Sequence, residues 1–282
     1  MIIIHKAQLL IDYLSKQRNK GLTIGFVPTM GALHDAHIAL VNQCSSECDI
    51  TVCSIFVNPT QFNDPSDYNK YPVTLENDIR RLVASNAAVL YAPTVDEVYS
   101  GGTAGLEHYD LGYLETLLEG QFRPGHFQGV CQVMNRLLKT VDPDKLFMGQ
   151  KDYQQCMVIK KLLEYLKVKV QLVTCATLRE HDGLAMSSRN MRLSEEQRKK
   201  APLIYEVLTT IKNQLAPGNI GHLKREAEVT LSNGGFRVEY VEIADASTLV
   251  PCREWNGKTQ LVALTAAFLG EVRLIDNILP RN

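Results

Sequence analysis

Two histidines, His34 and His37, stand at the end of the stretch Phe26-Val27-Pro28-Thr29-Met30-Gly31-Ala32-Leu33-His34-Asp35-Ala36-His37. Residues i and i+3 of a helix lie on one face, about a turn apart. Both imidazoles can therefore serve one ligand from the first turn of a helix whose apolar face continues as Ile38, Leu40 and Val41. Unpaired N–H groups and the positive end of the dipole at such a helix start favour an anion. A strand, a Pro/Gly turn and a His-x-x-His helix start together describe a phosphate site.

Four further segments carry chemistry of the same kind. In Phe56-Val57-Asn58-Pro59-Thr60-Gln61-Phe62, two amides can hydrogen-bond a polar ligand without adding charge. Gly120-Gln121-Phe122-Arg123-Pro124-Gly125-His126-Phe127 is a cationic turn before a helix. Gly149-Gln150-Lys151-Asp152-Tyr153-Gln154-Gln155 is a strand-to-helix turn with a lysine where a phosphate could lie. Gly183-Leu184-Ala185-Met186-Ser187-Ser188-Arg189-Asn190 offers two hydroxyls and a guanidinium, a set suited to a polyphosphate. Alone, each has a bland explanation: capping histidines, an Asn-Pro turn, a solvated lysine, a serine cap. Their joint placement at strand-to-helix turns is what the bland explanations leave out.

The elements that must position them alternate. Strand candidates are Leu22–Val27, Ile50–Phe56, Ala87–Tyr91, Lys145–Met148 and Lys169–Cys175, with helical patterns over His37–Cys48, Leu75–Ser85, Phe127–Val141 and Tyr153–Leu166. Such alternation predicts a parallel sheet with helices on both faces. Ligands of such sheets sit beyond the carboxyl ends of the strands, near the topological switch point. No Gly-x-Gly-x-x-Gly fingerprint and no Walker A loop is present, which weakens dinucleotide and P-loop readings. After a boundary near residues 176–190 the pattern changes. One helix is predicted over Ser194–Leu215 and another over Ile220–Leu231, then strands over Arg237–Ile243, Gln260–Phe268 and Val272–Ile275. That order implies a small α+β domain.

The chain has 282 residues and a net charge of −1, which argues against a general grip on nucleic acid though not against one bound nucleotide. Met1-Ile2-Ile3-Ile4-His5-Lys6 is too short for the apolar part of a signal peptide, and it leads straight into a helical pattern at Leu9, Leu10, Tyr13 and Leu14. No run approaches the roughly 20 apolar residues of a membrane span. The expected location is the cytoplasm. The seven cysteines lack a Cys-x-x-Cys pair, and Cys44 and Cys48 read as reduced, partly buried thiols and not as a zinc site.

Taken together, PTMGALHDAH, FVNPTQF, GxxRPGHFxGV, GQKDYQQ and DGLAMSSRN resemble the pantothenate synthetase (pantoate–β-alanine ligase) family of the His-x-Gly-His adenylyl-transferring superfamily. The likeness runs from Pro28 to Arg273-Leu274-Ile275-Asp276-Asn277. It implies an α/β fold, with a Rossmann-like ATP- and pantoate-binding domain over residues 1–176 and a smaller α+β C-terminal lid over 177–282, in a homodimer. It implies that pantoate and ATP give pantoyl adenylate and pyrophosphate, and that β-alanine then displaces AMP to give pantothenate, on the route to coenzyme A. Neither a membrane nor nucleic acid is an expected partner.

Residue by residue, the resemblance places ATP near Met30, Gly31, Ala32, Leu33, His34, Asp35, Ala36 and His37, with His37 as proton donor. Further nucleotide contacts match Gly149, Gln150, Lys151, Asp152, Leu178, Met186, Ser187, Ser188 and Arg189. Pantoate falls to Gln61 and Gln155, and β-alanine to Gln61. His34, His37 and Lys151 form the expected catalytic set. Mg²⁺ accompanies ATP with no ligand assigned; Asp78, after the Tyr71–Thr74 segment, is a carboxylate considered for the metal side.

The chemistry agrees with this assignment. A carboxylate is ionised at neutral pH and needs no base to attack phosphorus, so catalysis rests on positioning and cations. The chain departs from the family pattern at Ala36 (usually Gly), at Gln150 (usually Glu) and over Cys131-Gln132-Val133-Met134 (usually Ala-Thr-Val-Val); activity is still expected, with altered ATP affinity, and Gln132 bears either on β-alanine binding or on helix packing alone. Two rival readings are a related nucleotidyltransferase using a phosphorylated acceptor, and an ATP-binding protein that has lost catalysis. The first would need basic residues near Gln61 and Gln155, where the sequence puts amides.

Overall fold

A computed structural model describes residues 1–63 and 65–280. The chain divides into two compact units. One is Met1–Gly149 with Gln154–Ala176; the other is Gln150–Tyr153 with the residues from Thr177 onward.

The first unit is built on six strands: β1 (Ile2–Ile4), β2 (Ile24–Thr29), β3 (Ile50–Ile55), β4 (Val89–Tyr91), β5 (Lys145–Gly149) and β6 (Gln171–Cys175). They pair in the order β1-β4-β3-β2-β5-β6, all parallel. In β2, five of six residues are buried, the near-continuous run of a strand covered on both faces. Val27, Val41, Cys44, Leu82, Leu90 and Phe147 belong to one apolar cluster against this sheet. Burial pushes the Cys44 thiol up to about 12, so it behaves as a small apolar side chain. The strand Ile2–Ile4 is an addition to the sequence reading. Three residues carry too little pattern to register, and pairing with Val89–Tyr91 is what makes them a strand.

The second unit centres on an antiparallel sheet in the order β11-β10-β8, where β8 is Arg237–Asp245, β10 Leu261–Leu269 and β11 Val272–Ile278. A two-stranded pair joins β7 (Gly218–Asn219) and β9 (Glu254–Trp255). Helices Leu203–Gln214 and Gly221–Asn233 lay Ile204, Leu208, Leu223 and Leu231 onto the sheet residues Val241, Ala263 and Leu274. The helix predicted over Ser194–Leu215 is two helices, Glu195–Lys200 and Leu203–Gln214. Its start is as expected. Ser194 Oγ accepts the Gln197 N–H and Gln197 Oε1 accepts the Ser194 N–H, a reciprocal capping box. Pro202, which lacks an N–H, ends that first helix, and its carbonyl accepts from Tyr205 and Glu206 to begin the next.

The segment Gln150–Tyr153 groups with the second unit, although the sequence division at residue 176 leaves it in the first. Asn277 Nδ2 donates to the carbonyls of Gln150 at 3.0 Å and Lys151 at 2.8 Å. Tyr153 donates its hydroxyl to the Ala246 carbonyl at 2.7 Å. No helix among the described residues is long and apolar enough to cross a membrane.

Candidate active site

The order of the first sheet reverses between β2 and β5, so its switch point lies between their carboxyl ends, Thr29 and Gly149. Beyond Thr29 the chain turns through Gly31 (φ +86°) and Ala32 (φ +48°), both left-handed. A Cβ at Gly31 would lie 3.1 Å from Asp78 Oδ2 and from Ile55, a tight fit in a left-handed conformation that already favours glycine. Asp78, only 1% exposed, accepts the backbone N–H of Ala32 at 2.9 Å, that of Leu33 at 2.8 Å and the Thr74 hydroxyl at 3.1 Å. Its carboxylate shapes the turn.

His34 caps the helix Asp35–Glu47, and the two imidazoles lie 4.0 Å apart between centroids, tilted by 34°. The spacing thus brings them together as expected. The His34 backbone N–H donates to His37 Nδ1 at 3.3 Å. An Nδ1 that accepts a backbone proton leaves the neutral ring with its own proton on Nε2. Ala36 is half-buried in the same turn.

Of the two amides expected to meet a ligand after β3, Asn58 does not. It is 1% exposed, and its side chain is spent on the protein: Nδ2 donates to the Gly129 carbonyl and to Gln61 Oε1, while Oδ1 accepts from Tyr99 and Thr60. Gln61 is half-buried, with Nε2 3.0 Å from Met30 Sδ. The cationic turn Gly120–Phe127 also works through Gln61. His126 Nδ1 donates to the Gln61 carbonyl at 2.8 Å, Arg123 donates to His126 Nε2 at 3.0 Å, and Glu119 lies 3.7 Å from Arg123. Gln132 tethers the Glu107 carbonyl at 3.0 Å. Gln154 is structural, binding the Glu119 N–H and the carbonyls of Leu114 and Leu117. Its neighbour Gln155 is half-buried.

In the second unit the Lys151 side chain is 18% exposed, with Nζ 3.9 Å from Asp152. A solvated lysine is therefore the wrong description. Besides Asn277, its turn is held by Gln150, whose Nε2 donates to Asn277 Oδ1 at 3.2 Å. Asn277 receives support in turn from buried Asp276, whose Oδ1 accepts the Asn277 N–H at 2.7 Å and which Arg179 grips through two nitrogens at 2.6 and 3.0 Å. Burial pushes the Asp276 carboxyl up, and Arg179 opposes that shift.

The Leu178–Asn190 segment is a small hairpin closed by the Arg179–Ala185 bridge. The Met186 N–H donates to the Leu178 carbonyl at 3.1 Å, so these two candidate nucleotide contacts sit side by side. Gly183 (φ +90°) packs on the Tyr205 ring, over which Arg179 lies at 4.0 Å. Ser187 Oγ caps a short turn by accepting the Arg189 N–H at 3.3 Å, and Ser188 is buried. Asp182 binds Arg198 at 2.5 Å, which holds its carboxyl below the usual range.

Tyr99 and Arg179 are supporting residues that the sequence reading did not single out, and it named Asp78, Asp276 and Asn277 without their supporting roles. Tyr99, which follows the short helix Val95–Val98, reads from sequence as core. Only the invitation to pair Arg179 with Asp276 was legible in principle, and their separation along the chain hides it.

A family model described as pantoate-beta-alanine ligase matches residues 2–279. The chain is similar to the pantothenate synthetase of Bacteroides thetaiotaomicron, 42% identical over 279 residues that cover 99% of this chain and 98% of the other. It is 41% identical over 280 residues to that of Flavobacterium psychrophilum, with 99% of both chains covered. Among solved structures, pantothenate synthetase from Thermus thermophilus superposes over 100% of both chains with a TM-score of 0.92 at 38% identity. The Francisella tularensis pantoate-beta-alanine ligase complexed with beta-gamma ATP and beta-alanine gives 0.81 at 36% identity, covering 99% of this chain and 98% of the other.

Proposed function

The chain belongs to the pantoate–β-alanine ligase family, and from that premise we infer how its residues divide the work. It condenses (R)-pantoate with β-alanine at the expense of ATP, releasing AMP and pyrophosphate. In the first half-reaction a pantoate carboxylate oxygen bonds to the α-phosphorus and the bond to pyrophosphate breaks. In the second, the β-alanine nitrogen bonds to the acyl carbon, AMP departs and the amine loses a proton. Neither step uses a covalent bond to the enzyme.

The observation that carries the residue assignment is the His34 N–H to His37 Nδ1 bond. It leaves the Nε2 proton of a neutral His37 as the donor to a phosphate oxygen, beside the anion-favouring start of the helix Asp35–Glu47. His34 and the backbone from Met30 through Leu33, with Asp35 and Ala36, frame the same anion. Gln61 and Gln155 hold pantoate, and Gln61 also meets β-alanine. In the second unit Lys151, Arg189, Ser187 and Ser188 act on phosphate charge, while Gly149, Gln150, Asp152, Leu178 and Met186 contact the nucleotide. Donors aimed at charge that develops during reaction are the dominant means of lowering such a barrier.

Mg²⁺ is proposed as the companion of the ATP phosphates. Among the described residues no three His, Cys, Asp or Glu side chains gather as a metal site, and the Asp78 carboxylate is engaged with backbone N–H groups. The described residues thus offer no cage of their own, as is usual where Mg²⁺ arrives on phosphates. On the family likeness the working form is a cytoplasmic homodimer; a monomer mass by light scattering at working concentration overturns the dimer.

Pantoate-dependent exchange of labelled pyrophosphate into ATP tests the reading. The wild-type chain is expected to exchange, and His37→Ala to lose roughly two to three orders of magnitude in rate. Undiminished exchange by His37→Ala removes that histidine from the mechanism.

A further inference from the structure

The amide of Gln61 can meet a ligand with its oxygen or its nitrogen, and the first unit fixes which. At Asn58 backbone groups leave no choice. The Gly129 carbonyl can only accept, so the side-chain atom 3.0 Å from it is Nδ2. The Thr60 N–H can only donate, so the atom 3.4 Å from it is Oδ1. That same Nδ2 lies 3.1 Å from the Gln61 side chain, which must present Oε1 to receive it. Gln61 therefore turns its oxygen inward. Its NH₂ points the other way, where the partner is Met30 Sδ, a weak acceptor at 3.0 Å.

Tyr99 closes this relay. Its hydroxyl donates to Asn58 Oδ1 at 2.7 Å, the shortest bond that oxygen receives, and lies 3.1 Å from the Thr60 hydroxyl. The ring is 3% exposed, with the Arg136 guanidinium 4.9 Å above its centroid. Burial pushes the phenol up, so it stays protonated and remains a donor.

We propose that Tyr99 is a positioning residue for recognition of the acid substrate: through Asn58 it locks the Gln61 amide so that only its NH₂ meets a substrate oxygen. An NH₂ there suits a carboxylate or hydroxyl oxygen and opposes an ammonium group. The proposal rests on Gln61 binding pantoate, and it adds the polarity of that contact and the residue that sets it.

Steady-state kinetics of the full-length enzyme test it with Tyr99→Phe, Gln61→Ala and the double variant. Gln61→Ala is expected to raise the pantoate KM about tenfold, and Tyr99→Phe about fivefold, with the ATP KM within about twofold of wild type. The double variant is expected to match Gln61→Ala alone, since residues acting through one contact are not additive. A general loosening of the fold would move both KM values and would survive in the Gln61→Ala background; either result overturns the relay. A wild-type pantoate KM in Tyr99→Phe beside a raised one in Gln61→Ala overturns the relay and leaves the role of Gln61 standing. A wild-type value in Gln61→Ala removes that role and the proposal with it. If Tyr99→Phe does not fold, Gln61→Glu decides: it keeps an oxygen for Asn58 but offers the substrate no donor. Its pantoate KM is expected to rise at least as far as that of Gln61→Ala, and an unchanged value overturns the donor-only contact.

Discussion

Asp78 accepts the backbone N–H of Leu33 at 2.8 Å, and with the Ala32 N–H at 2.9 Å this makes one buried carboxylate the clamp on the turn that precedes His34. An amide cannot accept at both of its ends. Asp78→Asn therefore leaves one backbone N–H facing an NH₂ group, a loss of about 1–3 kcal/mol for a buried donor left unsatisfied. For a domain of this size that corresponds to a fall in Tm of roughly 2–4 °C per kcal/mol. The ATP KM is expected to rise as the turn relaxes, and added Mg²⁺ is expected not to restore it. Recovery at high Mg²⁺ would return Asp78 to the metal side.

Lys151 and Asn277 are coupled through the backbone. Lys151→Ala is expected to lower kcat by about two orders of magnitude or more with a modest change in pantoate KM, since its charge acts on the phosphate charge that develops in the first step. Asn277→Ala keeps the lysine but releases the Gln150 and Lys151 carbonyls. Its kcat is expected to fall about tenfold in the same direction, as a misplaced cation still contributes part of its effect. Rapid-quench measurement of adenylate formation separates this from slow product release. An unchanged rate in Lys151→Ala removes that residue from the chemistry.

Alternating apolar runs made the parallel sheet legible, because β2 through β6 are long enough or apolar enough to carry their own signal. The same spacing logic placed His34 and His37 together, since a one-turn separation is a local property. The Asn58 amide was misjudged for the opposite reason. Its partners, Gly129 and Tyr99, lie 71 and 41 residues away, and a ligand-facing amide and a buried one have the same local sequence. The break at Pro202 was readable from the residue itself, but the strong capping box at Ser194 and the helical pattern after it masked the stop. Lys151 was seen as a cation, whereas what holds its turn, the Asn277–Asp276–Arg179 chain, is tertiary and silent in any short window.

Acid is expected to loosen the hairpin that carries Met186 through Arg189. The Arg198 hydrogen bond holds the Asp182 carboxyl below its ordinary value, and Asp182 also accepts the Leu184 N–H at 3.3 Å. A depressed folded-state pKa means that the stabilisation is present above the unfolded value, near 4, and is lost as pH falls through the lower folded value. Both side chains are partly exposed, so the pair is worth at most ~1 kcal/mol. The Tm difference between wild type and Asp182→Asn is therefore expected to be constant at pH values well above the unfolded value and to close as pH falls through the depressed folded one. A difference that widens on acidification overturns the assignment.

Ala36 tests how far the family pattern constrains the His-x-x-His turn. It stands half-buried in the first turn of the helix Asp35–Glu47, between His34 and His37 in sequence. Ala36→Gly removes a methyl and raises backbone freedom, which costs up to about 1 kcal/mol in a helix and less in its first turn. A small fall in Tm is therefore expected. Against that, the methyl is the group that would crowd a nucleotide lying along this turn, so the ATP dissociation constant by calorimetry is expected to fall or stay level while kcat is retained. The two measurements move independently, which separates a packing role from a binding one. Weaker ATP binding in Ala36→Gly at unchanged Tm would show that the methyl packs favourably against the nucleotide, and that alanine at this position is a working alternative to glycine.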